Sequence, residues 1–386
     1  MASLVSFTWR HCIPLIVVFC VLSLQGFDES TQTFTLTNKY DTSYETYINK
    51  TIHVIVADGV DVVFGHAFEG SPNLISAKIG NSVIEINNYA FNRCPKLETV
   101  EIGEKVELIG WYAFSQCNLK ELEIPGSVKE IDSSAFLLCE NLINVNILGE
   151  SLQTLGSSSF SGCYALEKIT IPKSIVTIKS SAFFACKNLI TISLGNNLEL
   201  IGSNAFQGCV KLEGFPLPNS LEEIGSSAFE QCYKFTNITI PYKILTIPSG
   251  TFSFCTGLKT IIIEGNVKEI GDEAFAHCEN LNCIYFYGLN EPKFGKDVFD
   301  GVLVQAIFSP YDYKNESFGG LGIRRNTTIE ECMGAEWEDP EKTENIIIIV
   351  VVVVVVVVII GVIIGVCICC RRKNKKVSNK VNEPEP

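Results

Sequence analysis

The chain has 386 residues, with 43 acidic against 30 basic side chains and a net charge of −13. That balance argues against a non-specific nucleic-acid binder, which needs a basic face. The four histidines (His11, His53, His66, His277) lie far apart, and no nucleophile–base motif, metal-ligand spacing or phosphate loop is present, so neither an enzyme nor a cofactor or metal site is expected.

Residues 1–26 read as a secretory signal: Arg10 and His11 flank an apolar run from Cys12 to Leu24, and Gly26 offers a cleavage point. The run is short for a membrane span. Residues 27–59 form a lead-in or cap, in which Ile52, Val54 and Val56 alternate as a half-buried strand would. A worn first repeat follows, with Val60, Val63, Ala67, Phe68 and Leu74, and Ser71 where later units have Cys.

From there the sequence is periodic. Phe68, Phe91, Phe114, Phe136, Phe160, Phe183, Phe206, Phe229, Phe252, Phe275 and Phe299 recur every 22 to 24 residues. A fixed period of this size marks a solenoid, in which each unit buries its apolar face only against the next. Within a unit, the three-residue spacing of Phe275, Cys278 and Leu281 predicts a short helical turn. Ser180, Ser203, Ser226 and Asp272 stand where they would cap it. A strand with period two follows, with Ile169 and Ile171 inward and Lys168 and Thr170 outward. Pro125, Pro172, Pro218 and Pro241 end that strand. A second apolar pair such as Val267 and Ile270 then leads to Gly110, Gly156, Gly202, Gly225 or Gly271, expected to permit a sharp turn. Stacking puts like residues about 4.8 Å apart in one parallel sheet.

After the regular array, Tyr287 to Tyr313 keeps Phe294 and Phe299 but loses the Cys. Residues 314–345 are polar and acidic and read as a stalk. Ile346 to Cys370 is free of charge and long enough to cross a bilayer as a helix. Arg371, Arg372, Lys373, Lys375 and Lys376 follow directly, so residues 371–386 are expected in the cytosol and the repeats outside. Cys367, Cys369 and Cys370 at that edge are palmitoylation candidates. Gly361 and Gly365 form a G-x-x-x-G through which two helices could pair.

The unit, I-P-x-x-[VIL]-x-x-I-[GDK]-x-x-A-F-x-x-C-x-x-L-x-x-[IV]-x-[IL], resembles the BspA-like, treponemal-type leucine-rich repeat over about residues 60–299. Ser159 and Thr251 replace the Ala, Phe235 replaces the Leu, and the unit at Cys117 to Leu119 lacks one residue. The resemblance implies a mainly-β leucine-rich-repeat solenoid over residues 60–313. It would have about eleven 23-residue units, a parallel sheet on its concave side and short helical turns, and would be tethered by one transmembrane helix. It implies a surface protein of host-associated bacteria or parasitic protozoa. Such a protein would adhere to host cell-surface proteins, matrix proteins or glycans at the plasma membrane, as a type I single-pass protein. The alternative is a structural coat protein or antigen without a dedicated ligand.

The cysteine ladder (Cys94, Cys117, Cys139, Cys163, Cys186, Cys209, Cys232, Cys255, Cys278) presents parallel side chains. Metal ligands must converge and disulfides need a particular dihedral, so buried free thiols are expected. Cys283 and Cys332 could form a disulfide that pins the C-terminal segment over the sheet; otherwise both are unpaired. Asn49, Asn237, Asn315 and Asn326 begin N-glycosylation sequons. Outward strand positions are the candidate partner-binding residues: Lys78, Glu101, Glu121, Glu123, Asn144, Asn146, Lys168, Thr170, Thr191, Thr239, Thr260, Ile262 and Tyr285. Ser76, Thr99, Ser193 and Asn237 share that face. Ile262 and Tyr285 read as an aromatic–apolar anchor patch, and Lys78 as the partner of Glu101.

Overall fold

A computed structural model describes residues 26–38, 43–302, 304, 306–309, 313, 315 and 317–322. The chain divides into two units, Met1–Thr327 and Thr328–Pro386, and every described residue lies in the first. Residues 1–25, 346–370 and 371–386 lie outside the described residues, and with them nearly all of the expected signal segment, as do Asn326, Cys332, Gly361, Gly365, Cys367, Cys369 and Cys370. Among the described residues no helix is long and apolar enough to cross a membrane.

The first unit is a parallel β-solenoid. A typical coil contributes one longer strand and, on another side, a strand of two residues. The longer strands pair in register from coil to coil. Asn144, Val145 and Asn146 of Asn144–Ile147 lie beside Glu121, Leu122 and Glu123 of one neighbour and Lys168, Ile169 and Thr170 of the other. The short strands form an eight-stranded sheet from Val62–Val63 to Glu223–Ile224 and a three-stranded sheet from Thr246–Ile247 to Lys293–Phe294. The lead-in supplies an extra strand, Thr33–Leu36, parallel to His53–Val56, and Phe27–Asp28 folds back antiparallel on it. At the other end Ser317–Phe318 pairs antiparallel with Leu321–Gly322. Phe318 is buried against Phe286, Phe294 and Phe299. The packed body therefore continues past residue 313, because Phe318 has an apolar end surface to cover.

The period-two strands alternate as the side chains dictate: Glu121–Ile124 and Asn144–Ile147 read exposed, buried, exposed, buried. Inside, the phenylalanines stack ring on ring. Centroids from Phe68 to Phe299 are 5.1 to 5.8 Å apart, and Phe91 through Phe252 are fully buried. Each buried ring contributes roughly 1.5–3 kcal/mol. Where Ser159 and Thr251 replace the small Ala, their fates differ. Thr251 Oγ1 donates to the Pro248 carbonyl at 2.7 Å, whereas Ser159 Oγ is buried without a partner.

The expected helical turns are absent. Among the described residues the one α-helix is Tyr44–Tyr47 in the lead-in. The Phe–Cys segment is instead a run of tight turns, broken by two left-handed residues four apart: Ser181 and Ala185 (φ 58° and 57°), Tyr112 and Gln116, Glu273 and His277. This conformation makes the amides alternate. Ala182, Phe184 and Cys186 donate within the coil, to Lys179, Ser181 and Phe183. Ser181, Phe183 and Ala185 donate at 2.7–2.8 Å to Ser203, Ala205 and Gln207 of the next coil. A helix would satisfy all six locally; the solenoid uses half of them to bind its neighbour. With no helix to cap, Asp272 Oδ1 accepts the Lys296 amide of the following coil at 2.8 Å.

The glycines after the second apolar pair also act differently than expected. Gly202, Gly225 and Gly271 are not among the positive-φ residues. They are required by close approach: a Cβ on Gly202 would lie 2.5 Å from the Ser180 nitrogen of the preceding coil.

Candidate recognition surface

Four longer strands, Glu121–Ile124, Asn144–Ile147, Lys168–Thr170 and Thr191–Ser193, form one continuous sheet. Their outward residues make two straight rows. One row is Glu121, Asn144, Lys168 and Thr191; the other is Glu123, Asn146, Thr170 and Ser193. All eight are exposed, and none of their side chains is held in a hydrogen bond or ion pair. The strand spacing sets the rows at intervals of about 4.8 Å. The result is a polar grid, acidic at one edge and hydroxylic at the other, with its donors and acceptors free.

Before this grid the face changes character. Lys78 Nζ meets Glu101 at 2.8 Å, and that carboxylate holds the lysine above its ordinary pKa by hydrogen bond and charge. Thr99–Glu101 and Glu121–Ile124 belong to separate sheets, the break falling at the unit that is one residue short.

Beyond the grid the sequence expectation fails twice. Residues 213–217 form no strand. Gly214 and Pro216 occupy the outward positions, and a proline cannot donate to a ladder. Phe215 is half-buried and packs against the core, its ring 5.6 Å from that of Phe235, which replaces the usual Leu. The Gly-Phe-Pro triplet was the available signal.

The anchor patch is the second failure. Thr260 and Tyr285 are only 2% and 4% exposed, and Ile262 is half-buried. Cys283–Phe286 is buried on both faces. One cause is the further strand Ala306–Phe308, whose Phe308 stacks on Tyr285 at 4.7 Å. Thr260 and Tyr285 are therefore part of the packing and do not form an exposed contact surface. Thr239 is half-buried.

Cys283 is disulfide-bonded. The nine ladder cysteines are free and buried, and each Sγ donates to the Phe carbonyl of the preceding coil at 3.1–3.3 Å. Burial pushes the Cys139 and Cys278 thiols up to about 12, and raises those of Cys117, Cys163, Cys186, Cys209, Cys232 and Cys255 as well. Such thiols are poor nucleophiles. Asn49 and Asn237 are exposed, and Asn315 Nδ2 donates to Glu291 at 2.6 Å. Among the described residues no three His, Cys, Asp or Glu groups converge as metal ligands would.

A stacked coil of this period is the mark of one repeat class. The BspA type leucine rich repeat region, in six copies, matches residues 63–190 and 176–303. This chain belongs to the BspA-type leucine-rich repeat family. It is similar in fold to a leucine-rich repeat protein from Bacteroides ovatus, at 24% identity and a TM-score of 0.52, over 72% of this chain and 85% of that one. The T. pallidum leucine-rich repeat protein is 29% identical, with a TM-score of 0.40, over 42% and 78%. The pneumococcal vaccine antigen PcpA is 21% identical, with a TM-score of 0.44, over 67% and 76%. No curated protein matches the chain. Solenoids of this kind offer extended preformed surfaces to other proteins.

Proposed function

We propose that this BspA-type protein is a single-pass surface receptor or adhesin. Its solenoid stands outside the cell and uses the polar grid from Glu121 to Ser193 to hold a host protein, matrix or glycan partner. The supporting observation is that eight exposed side chains stand in two registered rows with no partner of their own. A merely solvated face is free to pair its charges internally, as Lys78 and Glu101 do. In the same reading residues 346–370 cross the membrane and residues 371–386 face the cytosol. Cys332 pairs with Cys283, the exported sequons carry glycans, Cys367, Cys369 and Cys370 are acylated, and Gly361 and Gly365 pair two spans.

The test uses the full chain with one epitope tag after Glu29 and another at the C-terminus. On intact cells the first tag should be stained and the second hidden. Those cells should attach to at least one component of a matrix-protein and glycan array. Changing Asn144, Asn146 and Thr170 together to Ala should lower attachment about tenfold, the loss expected when contacts worth about 1.4 kcal/mol are removed. Attachment no better than that of cells lacking the protein, or unchanged in the triple variant, would leave the coat reading in place.

A further inference from the structure

One junction in the solenoid lacks the hydrogen bonds that join the others on two of its three sides. On the longer-strand side, the residue before each strand donates its amide to its counterpart one coil earlier. Glu167 donates to Ile143, Ile190 to Glu167, Glu213 to Ile190, and later Lys259 to Thr236 and Asn282 to Lys259, all at 2.7–3.0 Å. The bond from Thr236 to Glu213 is missing from this series, and residues 213–217 pair with neither neighbouring strand.

The short-strand side is open at the same place. Gly202 donates to Ile178, Gly225 to Ile201 and Gly271 to Ile247 at 2.7–2.8 Å. The residue that would donate to Ile224 is Pro248, which has no N–H. Leu245 does not donate to Glu222, although Glu222 donates to Glu199 and Lys268 to Leu245. The eight-stranded sheet ends here and the three-stranded one begins. An open cleft of about 550 Å³ lies between them, lined by Glu222, Glu223, Ile224, Leu245, Thr246 and Pro248.

The third side is intact. Ser227, Phe229 and Gln231 donate at 2.9–3.0 Å to Ser249, Thr251 and Ser253, and Phe229 stacks on Phe252 at 5.4 Å. Across the opened short-strand side the one ion pair is Lys243 Nζ to Glu222 at 2.7 Å, between half-exposed groups. An exposed pair of this kind is worth about 0–1 kcal/mol. The other break, between Thr99–Glu101 and Glu121–Ile124, differs: there the short strands Leu108–Ile109 and Glu130–Ile131 remain paired.

We propose that the junction between residues 212–234 and 235–257 is a built-in joint, at which the solenoid flexes about its continuous turn side. Pro248 removes a donor from the short-strand side, residues 213–217 form no strand on the other, and the unbroken ladder of turns serves as the hinge pin. Flexing moves the coils that carry the polar grid relative to those that carry the Cys283 disulfide. A partner touching both parts selects one angle from those populated. The inference stands whether or not the grid binds a partner.

The test is made on the full chain in nanodiscs. Amide exchange at Thr236, Leu245 and Thr246 should be at least about tenfold faster than at Lys259 and Lys268. Spin labels carried by non-canonical residues at Glu199 and Lys268 should give a broader distance distribution than labels at Lys129 and Glu199, which span as many coils within the unbroken part. The variant Pro248→Gly restores the missing donor to Ile224 and should narrow the first distribution. Equal widths for the two pairs in the unsubstituted protein would overturn the joint even if the amides exchange fast, since local fraying alone accelerates them.

Discussion

At the scale of single residues, the cysteine ladder shows a side chain chosen for size and for a weak donor. The Phe160 carbonyl already accepts the Cys163 amide within its own coil, and the Cys186 thiol adds a second bond from the next coil at 3.2 Å. Ser would fit sterically but would bring a more strongly hydrated group into the core. The sequence showed that these cysteines are interior spacers, because parallel side chains at constant intervals exclude a converging site. It did not show the thiol-to-carbonyl bonds, which depend on how two coils are offset. The raised thiols have a consequence with a definite sign. A group that must stay neutral in the fold contributes its stability below its ordinary value of 9.0 and loses it between there and about 12. At about pH 11 Cys139 and Cys278 would each oppose the fold by about 3 kcal/mol, a sizeable share of a typical stability of about 5–15 kcal/mol. The denaturant midpoint should therefore be flat from pH 7 to 8.5 and fall steeply above 9. Replacing Cys139 and Cys163 by Ala should make the fall shallower, and an unchanged slope would mean that the thiols do not control it.

At the scale of the element, the turn segment teaches where periodicity misleads. Phe, Cys and Leu three apart mimic a helical face, yet left-handed residues at two places in each coil forbid a helix. Many of those positions hold Ser, Gln, Leu, Ala, Tyr or Glu, which give little hint of positive φ. Gly70, Gly162, Gly208 and Gly301 occupy the second position in other coils, each with φ of 69–75°, and Gly250 the first at 65°; those glycines were the readable signal. Apart from residues 213–217 the strands were legible, since alternation of Glu, Leu, Glu and Ile has one meaning on a half-buried sheet. The glycines before the turn were legible in place but not in cause. Gly202→Ala forces a Cβ against the backbone of the preceding coil, where nothing flexible can give way. Overpacking of this kind costs about 1–3 kcal/mol, and urea denaturation should register it. A variant as stable as the parent would show that the two coils separate readily.

At the scale of the molecule, stability is distributed along the array, because each coil touches only its neighbours. Phe183→Ala removes one ring from the stack between Phe160 and Phe206 and should cost about 3–5 kcal/mol. Amide exchange should show the loss concentrated in the two adjoining coils, with the ends of the solenoid unaffected; a uniform loss of protection would argue for a single cooperative core. The general architecture was readable from eleven phenylalanines. The anchor patch was misjudged because exposure of Tyr285 depends on Phe308, beyond the regular repeat, and no period predicts what an irregular end will cover. At one end the antiparallel strand Phe27–Asp28 folds back on the terminal strand, and at the other a separate hairpin, Ser317–Phe318 with Leu321–Gly322, buries Phe318 against the last coils. An uncapped stack of parallel strands is a template for the next molecule. With both ends of the stack so occupied, copies held close together have fewer open edges through which to zip into fibrils, and a crowd of them stays a population of individuals.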